Sequence, residues 1–224
     1  ENGPDITTVD QPVIESEGLF FKDVDGSGEL KAFSDWRLDP KTRAKALTDA
    51  MSTEEKIGQI FVTSRNPYTT EGYMGRPAGG SDGKNLSDET GLLDENILEN
   101  VSIFAGYRLP GTTEAVRQDR MRNFILRTNP TPAQLTDWLN QMQNKAENNE
   151  HFIPVLVTTN SRNENGKVVF GMNDSVGTFP AWPGTMGIAA AVLGTDNTGI
   201  AKEFGESIRK EWNAAGLRKG YMYM

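Results

Sequence analysis

Ile153-Pro154-Val155-Leu156-Val157-Thr158-Thr159 is an almost unbroken run of apolar and β-branched residues. A strand covered on one side alternates apolar with polar positions; a run without alternation reads as a strand buried on both faces, as in a parallel sheet between helices. The pattern on either side agrees. Upstream, Thr131-Pro132 opens a helix whose Leu135, Trp138, Leu139 and Met142 fall at helical spacing, and Asn123-Phe124-Ile125-Leu126 before it is a second candidate strand. Further upstream, Ser52-Thr53-Glu54-Glu55 carries capping-box chemistry and leads through Ile57-Gly58-Gln59-Ile60 into a first strand at Phe61-Val62. Asp39 as N-cap and Pro40 at the first helical position open another helix, with Leu38, Ala44, Leu47, Ala50 and Met51 as its apolar stripe. Downstream, Ala201, Phe204, Ile208 and Trp212 mark a helix from Ile200 to Ala214 that Gly216 ends, and 217–224 reads as one more buried strand. Strands alternating with helices predict an α/β fold with a parallel sheet.

Composition bounds the chemistry. The chain has 224 residues, 23 Lys+Arg against 31 Asp+Glu and a net charge of -8, which is enough polypeptide for one sizeable core. With no cysteine and one histidine, it holds no disulfide, no thiolate or multi-histidine metal site and no cysteine nucleophile; His151 reads as a surface or packing histidine. A pI near 4.8 without a basic cluster offers nothing to grip a phosphate backbone, so no nucleic-acid partner is expected. No run of about 18 apolar residues spans a bilayer. Glu1-Asn2-Gly3-Pro4 has neither the basic nor the apolar region of a signal peptide, which predicts a soluble chain whose export signal was already removed.

Two units are expected: residues 1–38, an arm containing an EF-hand-like loop, and residues 39–224. The first 20 or so residues are polar and aperiodic and read as an extended arm. Asp23, Asp25 and Ser27 then occupy positions 1, 3 and 5 of an EF-hand loop, with Gly28 at 6, the Glu29 carbonyl at 7 and Leu30 at 8. Those four oxygen donors, Asp23, Asp25, Ser27 and Glu29, are candidate ligands of a structural Ca2+. Position 12, where a bidentate Glu normally closes the sphere, is Ser34; the alternative is an Asp/Gly-rich turn held by its own side-chain to backbone hydrogen bonds. Residues 63–96, rich in Gly, Ser, Asn and Asp, read as a long loop or lid.

In chain order, Asp35-Trp36-Arg37-Leu38, the segment from Met51 to Ile60 with its Thr53-Glu54-Glu55-Lys56-Ile57-Gly58-Gln59, Ile153 to Val157, Phe179-Pro180 through Gly187-Ile188-Ala189-Ala190, and Phe204 to Gly216 resemble the amino-terminal barrel domain of glycoside hydrolase family 3, over residues 21–224. The resemblance implies a (β/α)8-like barrel of which only the amino-terminal part is present, behind an extended arm. It implies a retaining, exo-acting β-glucosidase, secreted or periplasmic, that needs no cofactor for catalysis and takes β-linked oligosaccharides. An ionised aspartate and a protonated carboxylic acid about 5 to 5.5 Å apart would do the chemistry, both expected downstream of this chain. β-Xylosidase and β-N-acetylhexosaminidase specificities stay open. Asn160 stands where the family places an aspartate that holds sugar hydroxyls, with Arg162 just after it, and Arg127 ends the neighbouring strand; these three are the candidate substrate contacts.

Of the carboxylates, Glu164 alone stands near a strand's carboxyl end, as a candidate acid or base or a solvated loop residue. Asp137, Glu147, Glu203 and Glu206 read as solvated helix faces, Trp182 and Trp212 as core. Ser34-Asp35-Trp36 spells the letters around the family's nucleophile but precedes the barrel and is read as coincidence. The competing hypothesis is a non-catalytic fragment or carbohydrate-binding remnant, whose open sheet edge would drive dimerisation or partner binding.

Overall fold

The computed structural model describes residues 3–64, 112–126, 131–160 and 179–221. Most of the long loop expected at 63–96 therefore lies outside the described residues, as do Arg127, Arg162 and Glu164. Four strands, β3 (Val62–Ser64), β4 (Asn123–Leu126), β5 (Leu156–Asn160) and β6 (Lys219–Tyr221), form one parallel sheet in the order of the sequence. Parallel neighbours need long crossovers. Here α4 (Pro132–Glu147) joins β4 to β5, and α5 (Thr185–Thr195) and α6 (Gly199–Ala214) lie between β5 and β6. Before the sheet come α1 (Pro40–Ala50) and α2 (Thr53–Ile60), and α3 (Thr112–Arg117) precedes β4. The expected α/β class with a parallel sheet is what forms.

Local chemistry explains the starts. The Asp39 side chain accepts from the Lys41 and Thr42 amides ahead of Pro40. Ser52 Oγ accepts the Glu55 amide at 3.1 Å while Glu55 Oε2 accepts the Ser52 amide at 2.9 Å, a complete capping box. The core joins Leu135, Trp138, Leu139, Met142 and Ala146 of α4 and Phe204, Ile208 and Trp212 of α6 to Phe124, Leu126 and Val157 of the sheet. Each of the larger apolar side chains stabilises the fold by about 1.5–3 kcal/mol. The stripe expected on α1 departs from this: no residue of α1 is buried, Leu38 is 38% exposed, and Met51, just past the helix, is the one that goes in.

Both later strands are shorter than the apolar runs that announce them. β5 starts at Leu156, because the backbone before it is bonded elsewhere: the Phe152 amide donates to the Val24 carbonyl at 2.9 Å, Arg122 Nε donates to the Ile153 carbonyl at 2.7 Å, and the Gln143 side-chain amide takes both backbone groups of Val155. Leu217 is lost to β6 because its amide bonds back to the Trp212 carbonyl, closing α6 around Gly216 at φ 78°. Residues 222–224 lie outside the described residues.

The arm is not structureless. β1 (Val13–Ser16) and β2 (Leu19–Lys22) pair antiparallel across Glu17-Gly18, both at positive φ (56° and 74°), the two-residue turn whose twist suits a hairpin. Phe21 is fully buried and stacks on Trp36 with ring centroids 5.4 Å apart, whereas Phe20 on the opposite face is exposed. A glutamate at the first turn position is not the Asn, Asp or Gly that signals such a turn, so the hairpin left no trace in the pattern. Behind it, Asp35 accepts the Arg37 amide and two guanidinium nitrogens, and those side-chain bonds hold its carboxyl below the usual carboxylate range. A lowered carboxyl contributes stability that is present above its unfolded value of about 3.9 and lost as pH falls through the folded value. Arg37→Ala should therefore lower the melting temperature slightly at pH 6, and the difference should shrink as pH is lowered toward 2 and the Asp35 carboxylate is protonated. A gap that persists at pH 2 would mean that Arg37 acts through packing on Phe21 instead.

Candidate functional site

In open and closed parallel α/β sheets the working loops leave the carboxyl ends of the strands. Here those ends are Ser64, Leu126, Asn160 and Tyr221, none of them a carboxylate. Register brings Asn160 opposite Tyr221 and Thr159 opposite Leu126, so Asn160 ends β5 paired with β6 and one residue past the end of β4. Of the three residues expected to meet substrate, Asn160 is thus placed at the carboxyl edge, and Arg127 and Arg162 fall outside the described residues.

Sequence reasoning passed over Thr158, which it took as strand filler. Thr158 is 5% exposed, and its Oγ1 has no hydrogen-bond partner among the described residues. Leaving a buried hydroxyl unmatched costs about 1–3 kcal/mol. Strand parity separates it from Val157 and Thr159, whose neighbour Val157 packs into the helix-covered core. Thr158 and position 160 therefore share the other face of β5, at the end where functional loops begin.

The opposite end of the sheet is crowded with charge and is structural. His151 Nδ1 lies 2.9 Å from Glu55 Oε1, and its ring meets Phe33 edge-on. Arg120 binds Glu150 through two nitrogens, at 3.0 and 2.8 Å, which holds the Glu150 carboxyl below its usual range. Glu147 corrects the expectation of a solvated face. It is 7% exposed, and Oε2 accepts the amides of Val9 and Asp10 from the arm at 2.8 and 3.2 Å. Asp137, Glu203 and Glu206 are exposed as expected. Trp212 is buried, and Trp182 packs edge-on against Phe204. Asp35 of the Ser34-Asp35-Trp36 triplet is bound up with Arg37 in the arm, two residues from the Phe33 that meets His151.

The EF-hand-like loop turns its oxygens on itself. Asp23 Oδ1 and Oδ2 accept the amides of Ser27 and Gly28 at 3.1 and 2.9 Å, Asp25 Oδ1 accepts Ser27 Oγ–H at 2.7 Å, and the Glu29 carboxylate is paired with Lys31. Among the described residues no group of three or more His, Asp or Glu is arranged to hold a metal ion. Two carboxylates, a hydroxyl and a carbonyl supply only part of the six to eight oxygens that Ca2+ takes. Among the described residues no helix is long and apolar enough to cross a membrane.

A parallel sheet read in sequence order, with polar residues at the carboxyl end of β5, defines an α/β protein, a class in which functional loops leave the carboxyl ends of the strands. No protein-family model matches the chain. Over 207 residues it is 29% identical to a periplasmic β-glucosidase/β-xylosidase from Dickeya chrysanthemi, an alignment that covers 92% of this chain and 26% of that protein. The chain thus spans about a quarter of the relative's length, and the match bears out the resemblance to glycoside hydrolase family 3 carried by the segments quoted above.

Proposed function

We propose that the chain forms the first strands of a (β/α)8-like barrel in a retaining, exo-acting β-glucosidase or β-xylosidase, exported to the periplasm or beyond, with β-linked oligosaccharides as substrate. The observation that carries the reading is Asn160 at the carboxyl end of the third strand of a sequentially ordered parallel sheet, in a chain similar to a β-glucosidase/β-xylosidase along nearly its whole length. The reading gives Asn160, Arg127 and Arg162 the task of binding sugar hydroxyls. An amide both donates to and accepts from a hydroxyl, without the charge-assisted strength of the carboxylate expected there. The nucleophile and acid are assigned to polypeptide outside these 224 residues.

Exposed apolar surface supports the barrel part of the reading. α5 is apolar all round yet buries Ile188 alone, leaving Met186 and Leu193 more than four-fifths exposed; a helix of that composition belongs inside a larger core. Ile60, Phe61 and Val62 at the β3 edge are exposed, and a groove of about 570 Å³ lined by Ile208, Trp212 and Leu217 runs beside β6. Further strand and helix units would cover both edges.

A chimera in which these 224 residues replace the aligned segment of the Dickeya chrysanthemi enzyme tests the assignment. It is expected to hydrolyse aryl β-glucosides or β-xylosides in preference to the β-N-acetylglucosaminide, and Asn160→Ala in it should lower kcat/KM about tenfold or more, the loss of one or two hydrogen bonds to a bound hydroxyl. A folded, active chimera whose kcat/KM ignores Asn160→Ala and Arg162→Ala would remove these residues from the site. The 224 residues alone are expected to show no turnover, and turnover abolished by Glu164→Gln would bring the catalytic carboxylate inside them.

A further inference from the structure

The turn between α4 and β5 is held residue by residue from outside itself. Glu147 takes the Val9 and Asp10 amides and stands 4.0 Å from Lys22 Nζ; Asn148 Nδ2 donates to Asp10; Asn149 Nδ2 donates to the Val116 carbonyl. Glu150 is gripped by Arg120, and His151 lies between Glu55 and Phe33. The Phe152 amide donates to the Val24 carbonyl while Lys22 Nζ lies 4.7 Å over the Phe152 ring, and the Ile153 carbonyl accepts from Arg122. Four of these seven consecutive residues, Glu147, Asn148, His151 and Phe152, are held by the arm.

We infer that the amino-terminal arm is a register clamp for β5, with Glu147 as its positioning residue. A parallel strand keeps its register only if something fixes where it starts, and a slip of one residue exchanges its two faces. β5 begins three residues after its apolar run does because the arm, Arg122 and Gln143 occupy the backbone of Phe152, Ile153 and Val155. The clamp thereby decides which residue, Asn160, arrives at the carboxyl edge. The inference that arm and strand are coupled stands on contacts alone; only its consequence for sugar binding rests on the proposed function.

Hydrogen exchange followed by mass spectrometry on the full 224-residue chain tests the coupling. Glu147→Ala is expected to raise exchange about tenfold or more both in residues 8–25 and in 152–160, leaving 200–214 unchanged, and Glu147→Gln, which keeps an acceptor oxygen, should recover part of the protection. Val9→Pro removes one donor from the arm without touching α4 or β5 and should reproduce the joint rise. Faster exchange in the arm with 152–160 at the wild-type rate would overturn the clamp, and so would a rise spread equally over 200–214, which reports global destabilisation. Loss of the clamp leaves the glycosidase reading standing, since the chimera's response to Asn160→Ala is read separately.

Discussion

Arg122→Ala is expected to destabilise the chain by about 3 kcal/mol or more, because it leaves buried carbonyls short of a donor, at about 1–3 kcal/mol each, and removes the packing of the arginine stem. Arg122 is 3% exposed, and its guanidinium donates to the carbonyls of Val116 at 2.7 Å, Met121 at 2.9 Å and Ile153 at 2.7 Å. These three oxygens come from the end of α3, the entry to β4 and the entry to β5, so one side chain ties the α3–β4 and α4–β5 connections together at the amino end of the sheet. Burial pushes the guanidinium down to about 10, still protonated at neutral pH. A desolvated cation is tolerated there because three carbonyls accept from it; the Val116 carbonyl also accepts from Asn149, while a buried carbonyl left with no donor costs about 1–3 kcal/mol. Arg122→Met separates the contributions, since it keeps the packing of the stem and loses the bonds. Chemical denaturation should place it between wild type and alanine; a methionine variant as stable as wild type would show that the hydrogen bonds add nothing net.

The same arginine marks the limit of what the sequence discloses. The strand Asn123–Leu126 was legible because the three-residue apolar run Phe124-Ile125-Leu126 had a helix signal after it, and α4 because Leu135, Trp138, Leu139 and Met142 keep one face. Apolar periodicity reports burial that a residue finds within its own element. Arg122, Glu147 and Gln143 act across elements: their partners lie 31, 138 and 12 residues away in the chain, and their composition is that of a solvated surface. A long-range hydrogen bond leaves no period, which is why the surface that holds the arm was not legible and β5 was expected to start earlier. At the site, Asn160 was legible through resemblance and through the end of a strand run. Thr158 was not, because its orphaned hydroxyl becomes informative only once its neighbours are in place.

Gly58→Ala should cost at least about 2 kcal/mol, although alanine is the better helix former by about 1 kcal/mol. Gly58 is buried in α2, where a Cβ would lie 2.3 Å from the Arg120 carbonyl oxygen, 2.5 Å from its carbon and 2.8 Å from the Asp119 oxygen. All three are backbone atoms, so no rotamer change relieves the overlap. The turn has little freedom to retreat. Arg120 already sits at φ 55°, a left-handed conformation that a non-glycine residue holds under constraint, while its side chain is fixed by Glu150 and the Met121 amide is bonded to the Ala115 carbonyl at 2.8 Å. On the other side of the contact, Asn123 Nδ2 donates to the Gln59 carbonyl at 2.8 Å, joining α2 to the first residue of β4. Inserting a methyl group must then move α2 away from the sheet, which costs about 1–3 kcal/mol beyond the propensity gain. Thermal unfolding should show a fall of about 4–8 °C for a chain of this size, with Gly58→Val worse. An alanine variant that melts with wild type would mean that α2 does not approach the 119–120 turn this closely. The Ile57-Gly58-Gln59 segment that carried part of the resemblance thus has a physical reason: glycine lets the helix touch the backbone entering β4, and the next carbonyl bonds to it.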